Sequence, residues 1–422
     1  MSLRRELTRG DLIMLGLGNI VGAGIFVITS KLIFYGGNNT IFAIIIVSVL
    51  SLIMGYIYLK LYEKYKTETV EYEAIRDNMG NRIGKCALFL IYFFAIVSCV
   101  TITVALTKYI THHGYFTNSQ QWDKVVSIFL LSTMCFINYR GITISKIVAN
   151  TIGGTMLIML VGIILMGIIT YLRGSGATPP ISTQTYVSEP TPKDGFIIAT
   201  ILSIFLFNGY DIVVKMSAET KNERDTGIAT MTSIGITSFI YICVIGSVIA
   251  ILGIQQASNT YHPLSLVYEK MNTGHTITKL SYIIGGFVMF NTAFISLLGG
   301  TRFLYGLVKH KPGGISHISR YQTPDVVILT TLVLAIGLSL IHNEVTLAIL
   351  TNFTVIIILL LLNISYIRIQ WKKKQIMEKQ EITTPTFIFK NSIFILSIAV
   401  FVFLFVKIIQ LGFIFNSHSK YD

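Results

Sequence analysis

The stretch Gly16-Leu17-Gly18-Asn19-Ile20-Val21-Gly22-Ala23-Gly24-Ile25-Phe26 decides how this chain folds. It sits inside a largely apolar run from Leu12 to Tyr35, long enough to meet the ~20 residues that a membrane-spanning helix needs. Glycine weakens a helix and exposes its backbone, so the run is expected to unwind locally near Gly22 to Gly24. Unwinding frees amide N–H groups at the start of a half-helix, where the helix dipole also favours a carboxylate. A second reading stands beside it: Gly18 and Gly22 are four apart, the spacing that lets two membrane helices pack closely. A dinucleotide loop is excluded, because no strand precedes the glycines and the third is one position late.

The rest of the chain agrees with a membrane setting. Of 422 residues, 53% are hydrophobic and 13% are charged, against about 25% charged in soluble domains. Apolar runs give eleven expected spans: 12–35, 40–62, 83–110, 125–138, 147–172, 196–214, 228–254, 280–307, 326–341, 345–367 and 392–415. The basic N-terminus (Arg4, Arg5, Arg9) and the small residues at 22–24 could mimic a cleaved signal. The apolar run continues past them, so the first span is read as uncleaved.

The net charge of +13 divides unevenly: 24 of the 33 lysines and arginines fall on the side that carries the N-terminus. By the positive-inside rule that side is cytoplasmic, and eleven spans leave the tail from Asn416 on the other side. Charge placed for topology does not point to nucleic acid. Lys372-Lys373-Lys374 reads as a lipid-facing part of the same signal. The polar stretch 60–82 is charge-mixed and reads as a surface helix, while 173–194, rich in glycine and proline, reads as an outer loop. Cys86, Cys99, Cys135 and Cys243 all lie in or beside apolar runs. They form neither a disulfide framework nor a metal-ligand pattern.

The sixth span breaks the rules for lipid-facing helices a second time, at Phe205-Leu206-Phe207-Asn208-Gly209-Tyr210-Asp211. An Asn-Gly pair beside a carboxylate is tolerated at membrane depth only where it faces protein or a water-filled cavity. Asp211 and Lys215 are four apart, as in a helical ion pair. For Asp211 two readings stay open: structural pairing, or a gating or proton-linked role. The two broken spans are the first and the sixth, and transporters built from inverted repeats place one discontinuous helix at the same position in each half. Residues 11–172 and 194–368 are then the two repeats of one transmembrane domain, with 390–415 appended.

At these residues the chain resembles amino acid permeases of the amino acid–polyamine–organocation superfamily. Gly16 to Phe26 match that family's first-helix pattern G-x-G-x-x-[VI]-G-[AS]-G-I-F almost throughout, and Phe207 to Asp211 match F-x-G-[FY]-[DE] of its sixth. Glu219 and Lys221-Asn222 fall on the following A-E-E-x-K-N-P-x-R, although Ala218 replaces its first Glu and Glu223 its Pro. Arg302 and Tyr305 resemble R-x-L-Y-[AG] of the eighth helix, and Gly141 with Ser145 the G-x-x-x-S of the fifth.

The resemblance implies an all-α, five-plus-five inverted-repeat (LeuT-like) fold, with about 11 transmembrane helices here against the family's usual 12. It implies secondary active transport of an amino acid by alternating access, and no enzymatic activity. The substrate carboxylate would take N–H groups around Gly22, Ala23 and Gly24; the ammonium would take carbonyls around Phe207, Asn208 and Gly209. Tyr210 and Phe207 would close over it, with Tyr92 a further wall residue. Asp211 and Glu219 are the gating or coupling candidates. Without an acidic residue in the first span neutral substrates are favoured, although Asp211 could still serve to select a cationic side chain. No cofactor is implied. The coupling ion is open between proton and sodium. Proton-coupled relatives carry a lysine inside the fifth helix, whereas Lys146 here lies at its end, and Asn291, Thr292 and Ser296 could offer oxygens to sodium. Residues 112–124 lack the cysteine that links some relatives to a glycoprotein, so no disulfide-linked heavy chain is expected.

Three other classes compete. A non-transporting amino-acid sensor of the same fold is motivated by the departures at Ala218 and Glu223, although sensors usually carry an added cytoplasmic domain. A membrane-embedded enzyme finds no nucleophile–base or metal set around His112, His113 and His262. An inorganic-ion cotransporter is disfavoured by the intact Gly22 to Phe26.

Overall fold

The computed structural model describes residues 5–111, 119–173, 194–260, 262–271, 275–309, 314–340, 344–377 and 391–418. All but the end residues of the expected outer loop 173–194, together with His112, His113 and the last residues of the tail, lie outside them. Within them the protein is all helix, apart from a single isolated bridge between Leu7 and Thr220. Nine helical stretches among the described residues are long and apolar enough to cross a membrane.

Each expected span falls on helix. The first is split into α1 (Arg9–Ile20) and α2 (Ala23–Gly36), followed by α3 (Thr40–Tyr65). The mixed-charge stretch after α3 contains α4 (Val70–Met79), and α5 (Asn81–Thr111), α6 (Ser119–Tyr139) and α7 (Ile142–Leu172) follow. The sixth span is split into α8 (Gly195–Phe207) and α9 (Asp211–Lys215). Next come α10 (Arg224–Ser258), the short α11 (Pro263–Lys270) and α12 (His275–Val308). The chain closes with α13 (Asp325–Ser339), α14 (Glu344–Met377) and α15 (Ser392–His418). Two expected spans are not among the nine: the fourth, on α6, and the ninth, on α13, whose 15 residues measure about 22 Å at 1.5 Å per residue.

Large apolar side chains point outward along the bundle, among them Phe89, Phe129, Phe239, Leu329 and Leu396. In water such a surface would aggregate; against lipid it costs nothing. Small residues let the inner helices close up. A Cβ on Gly16 would stand 2.4 Å from Ser233 Oγ of α10, and one on Gly167 of α7 2.1 Å from Ser247 Oγ. The Gly18–Gly22 face is a packing face too: a Cβ on Gly18 would meet Asn291 at 2.9 Å, and one on Gly22 would overlap Thr292, both on α12.

Several of the charged side chains that the sequence assigns to one side make polar contacts with residues assigned to the same side. Arg9 binds Asp225 at 2.6 Å, Lys309 binds Glu68 at 2.6 Å, and Arg368 donates to the Asn78 carbonyl at 2.8 Å. The N-terminal segment adds backbone contacts: Glu6 and Leu7 donate to the Glu219 carbonyl and Lys221 donates back to the Leu7 carbonyl, at 2.9–3.0 Å. Thr8 and Asp11 form a reciprocal capping box that starts α1.

Candidate functional site

Helix α1 ends because Gly22 leaves the helical path, with φ −53° and ψ −124°, whereas Val21 before it still donates to the Leu17 carbonyl. The break is tighter than the glycine pattern suggests. Helix resumes at Ala23, so Gly24 lies within the first turn of α2 rather than in an unwound segment. The first N–H groups of any helix lack an intrahelical acceptor. Here the Ala23 N–H is satisfied across the bundle by Thr292 Oγ1 at 3.0 Å. Thr292 in turn lies 3.2 Å from the Gly18 carbonyl and 3.0 Å from that of Val288. One α12 hydroxyl thereby bridges both sides of the break.

In the sixth span the helical path is lost at Asn208, which is extended (φ −64°, ψ 144°), and at Gly209. Gly209 has φ +117°, a conformation that a side chain makes costly. A Cβ there would also lie 2.6 Å from Asn19 Nδ2. Asn19 uses that nitrogen to donate to the Gly209 carbonyl at 2.9 Å, while its Oδ1 accepts from Ser296 Oγ at 3.1 Å. Tyr241 ties the two breaks from the other side: its hydroxyl lies 2.6 Å from the Ile20 carbonyl and 2.8 Å from that of Leu206. The breaks are thus braced by Asn19, Thr292, Ser296 and Tyr241. The sequence reading assigned no such bracing to any of them.

A cavity opens beside both breaks. Asn19, Gly24, Asn208, Gly209, Asp211, Lys215, Thr292 and Ser296 supply its polar or backbone wall. Ile20, Phe94, Ala95, Ile102, Phe205 and Ile212 supply the apolar one. Asn208 Nδ2 is buried without a hydrogen-bond partner, as is the Asn291 amide. The expected site residues divide. Gly24, Asn208, Gly209 and Asp211 line the cavity. Gly22 packs on α12 and Ala23 is capped by Thr292. Phe207 and Tyr210 face the opposite side of the sixth span, edge-on to Tyr241 and Tyr58 at 5.2 Å and 5.5 Å, and line a smaller crevice with Leu359 and Phe401. Phe205 holds the aromatic position at the cavity. Tyr92 likewise points away, its hydroxyl 2.9 Å from Thr331 Oγ1.

Two buried ion clusters flank the cavity on the side of the N-terminus. Lys215 pairs with Asp211, one helical turn apart, and also lies 3.7 Å from Glu71 Oε2 of α4. Tyr58 donates to the other oxygen of Glu71. Glu219 meets Arg302 in a two-pronged pair, 3.1 Å for each N–O contact, with both side chains 1% exposed. Arg302 Nη1 also donates to Asn138 Oδ1 at 2.8 Å. The two motif fragments, one after the sixth span and one in the eighth, are therefore halves of a single contact.

A family model described as amino acid permease matches residues 7–416, nearly the whole chain. The chain belongs to the amino acid permease family. It is 25% identical over 264 residues to an uncharacterized transporter of Mycobacterium tuberculosis, a match that takes in 62% of this chain and 57% of that one. The similarity thus spans little more than half the length of the mycobacterial relative. A branched-chain amino acid permease of Bacillus subtilis is 24% identical over 351 residues, 77% of this chain and 72% of that one. A D-serine/D-alanine/glycine transporter of Escherichia coli is 21% identical over 341 residues, 76% and 70% of the two chains. This permease is accordingly a multi-pass integral membrane protein of the amino acid–polyamine–organocation superfamily.

Proposed function

We propose that the protein is a secondary active transporter of a neutral amino acid, working by alternating access around the cavity between the two broken spans. The observation that carries this reading is the juxtaposition of two opposed helix ends. The N-terminus of α2 and the C-terminus of α8 meet where a Cβ on Gly24 would stand 3.3 Å from Leu206 Cα. A helix start presents partial positive charge and a helix end partial negative charge. The zwitterion that every amino acid carries fits that pair without an ionised side chain being buried for it.

In this reading the carboxylate takes N–H groups of the first turn of α2 near Gly22 and Gly24, and Asn208 Nδ2 adds a donor. The ammonium takes carbonyls at the end of α8, around Phe205 to Asn208. The wall of Ile20, Phe94, Ile102, Phe205 and Ile212 favours an apolar or small side chain. Asp211 is neutralised by Lys215, so it is not free to select a cationic one. Two of the chain's relatives, the branched-chain amino acid permease of Bacillus subtilis and the D-serine/D-alanine/glycine transporter of Escherichia coli, support the same class, since their substrates are neutral amino acids.

The two breaks recur at equivalent places in the chain, which supports two inverted repeats over 11–172 and 194–368 with the last helix appended, and rocking of spans one, two, six and seven against the rest. The charge asymmetry supports a cytoplasmic N-terminus and a C-terminus on the opposite side. Uptake of labelled leucine, alanine, serine and glycine into liposomes tests the site. Gly24→Leu and Gly209→Leu are expected to abolish uptake by protein that still purifies as a monodisperse species; wild-type rates in either variant would refute it.

A further inference from the structure

Glu71 belongs to α4, outside the expected spans, yet its side chain is 4% exposed. It meets Tyr58 from α3 and Lys215 from α9, and Lys215 in turn pairs with Asp211. On the α12 side Lys215 lies 5.7 Å above the Phe303 ring, which adds no titratable group. The neighbouring Glu68 is already paired with Lys309. The cluster therefore holds two carboxylates and one ammonium. Fully ionised it is a buried net negative charge, and such a charge is strongly disfavoured unless something neutralises it.

We infer that Glu71 is a proton-carrying group of this transporter, resting on the transport reading above: it binds one proton in the closed state and gives it up to the face that α4 covers.

The geometry distinguishes the two carboxylates. Lys215 is hydrogen-bonded to Asp211 and only within ion-pair distance of Glu71. Glu71 Oε2 has no hydrogen bond, whereas Oε1 accepts from Tyr58. A single proton on Glu71 leaves a neutral Asp211–Lys215 pair in the cavity wall, and the zwitterionic substrate is then not opposed by an extra charge. Burial pushes the Glu71 carboxyl above the usual glutamate range; Lys215 opposes that shift and Asp211 adds to it. The proton comes from water on one side of the membrane, converts carboxylate to carboxylic acid, and returns to water when α4 separates from α9 on the other.

The full chain in liposomes tests this, with the membrane potential clamped at zero and labelled leucine, alanine, serine and glycine as probes. A gradient of one pH unit, acid outside, is expected to drive about tenfold accumulation for one proton per substrate. Glu71→Gln mimics the protonated state: substrate counterflow is expected within about twofold of wild type, with gradient-driven accumulation lost. Counterflow by wild type without gradient-driven accumulation, or tenfold accumulation by Glu71→Gln, overturns the assignment and leaves the transport reading standing. Absence of wild-type counterflow for every probe overturns both. If Glu71→Gln is not recovered folded, Tyr58→Phe decides. Removing a donor to the ionised carboxylate should raise the pH of half-maximal uptake by about half a unit to one unit, and an unchanged midpoint refutes the role of Glu71.

Discussion

Arg302 and Glu219 form the most enclosed ion pair of the molecule's described residues, and their separation should be measurable as stability. Each side chain is 1% exposed, and two N–O contacts of 3.1 Å leave no room for water between them. Replacing Arg302 with Met removes both contacts and the bond to Asn138 Oδ1, and strands a carboxylate in the protein interior. Breaking a buried pair from one side costs about 3–5 kcal/mol, most of it from the charge left alone. Glu219→Gln strands the guanidinium instead, but Asn138 still accepts from it, so the cost should lie at the lower end of that range. The double variant strands nothing. It should be destabilised by less than the sum of the singles, with a coupling of about 2 kcal/mol or more. The assay is a double-mutant cycle of unfolding free energies from SDS titration in mixed micelles. Additive single-variant costs, or a cost below about 1 kcal/mol for Arg302→Met, would refute the idea that this contact holds the eighth span to the segment after the sixth.

Other outcomes follow from the same geometry. Tyr241→Phe removes the one hydroxyl that serves two break carbonyls, at Ile20 and Leu206, and should cost about 1–3 kcal/mol in the same titration. Phe205→Ala should raise KM severalfold for the best substrate, whereas Phe207→Ala, whose ring packs away from the cavity, should lower stability by about 3–5 kcal/mol with a smaller effect on KM. Reversal of that pattern would return the aromatic gate to Phe207. Stability should also respond to pH through Glu71. Its folded-state pKa is raised by burial, so its favourable contribution is present in acid and is lost as pH rises through the folded value. The stability of Glu71→Gln relative to wild type should therefore increase with pH above the ordinary glutamate range, and a flat difference would contradict it.

Much of this was legible in the residues, and what was not has identifiable causes. Apolar run length located the nine helical stretches among the described residues that are long and apolar enough to cross a membrane, because backbone satisfaction in lipid leaves little alternative. The breaks were legible from glycine and asparagine at membrane depth. Their edges were not: α2 restarts at Ala23 because a threonine from α12 caps that N–H, and a contact 269 residues away leaves no local trace. The facing of Phe207 and Tyr210 was hidden for a related reason. A motif gives the order of residues along a helix, but the rotation of α8 and α9 is set by packing against Tyr241 and Tyr58. The Asp211–Lys215 pair was visible at its i,i+4 spacing, whereas Glu71 joins it from a separate helix. Arg302 and Glu219 each stood out in a motif, and only the fold shows them in contact. The braces Asn19 and Tyr241 carried a usable signal, since an unexplained Asn or Tyr inside an apolar helix needs a partner.

The central claim is that the cavity between the broken spans carries a neutral amino acid across the membrane. Counterflow by the purified chain tests it most directly: liposomes loaded with millimolar leucine, alanine, serine and glycine, diluted into trace label of each in turn. The account predicts saturable accumulation of at least one label, suppressed by Gly209→Leu and by excess of the same amino acid outside. No saturable counterflow of any of the four by folded protein would contradict it.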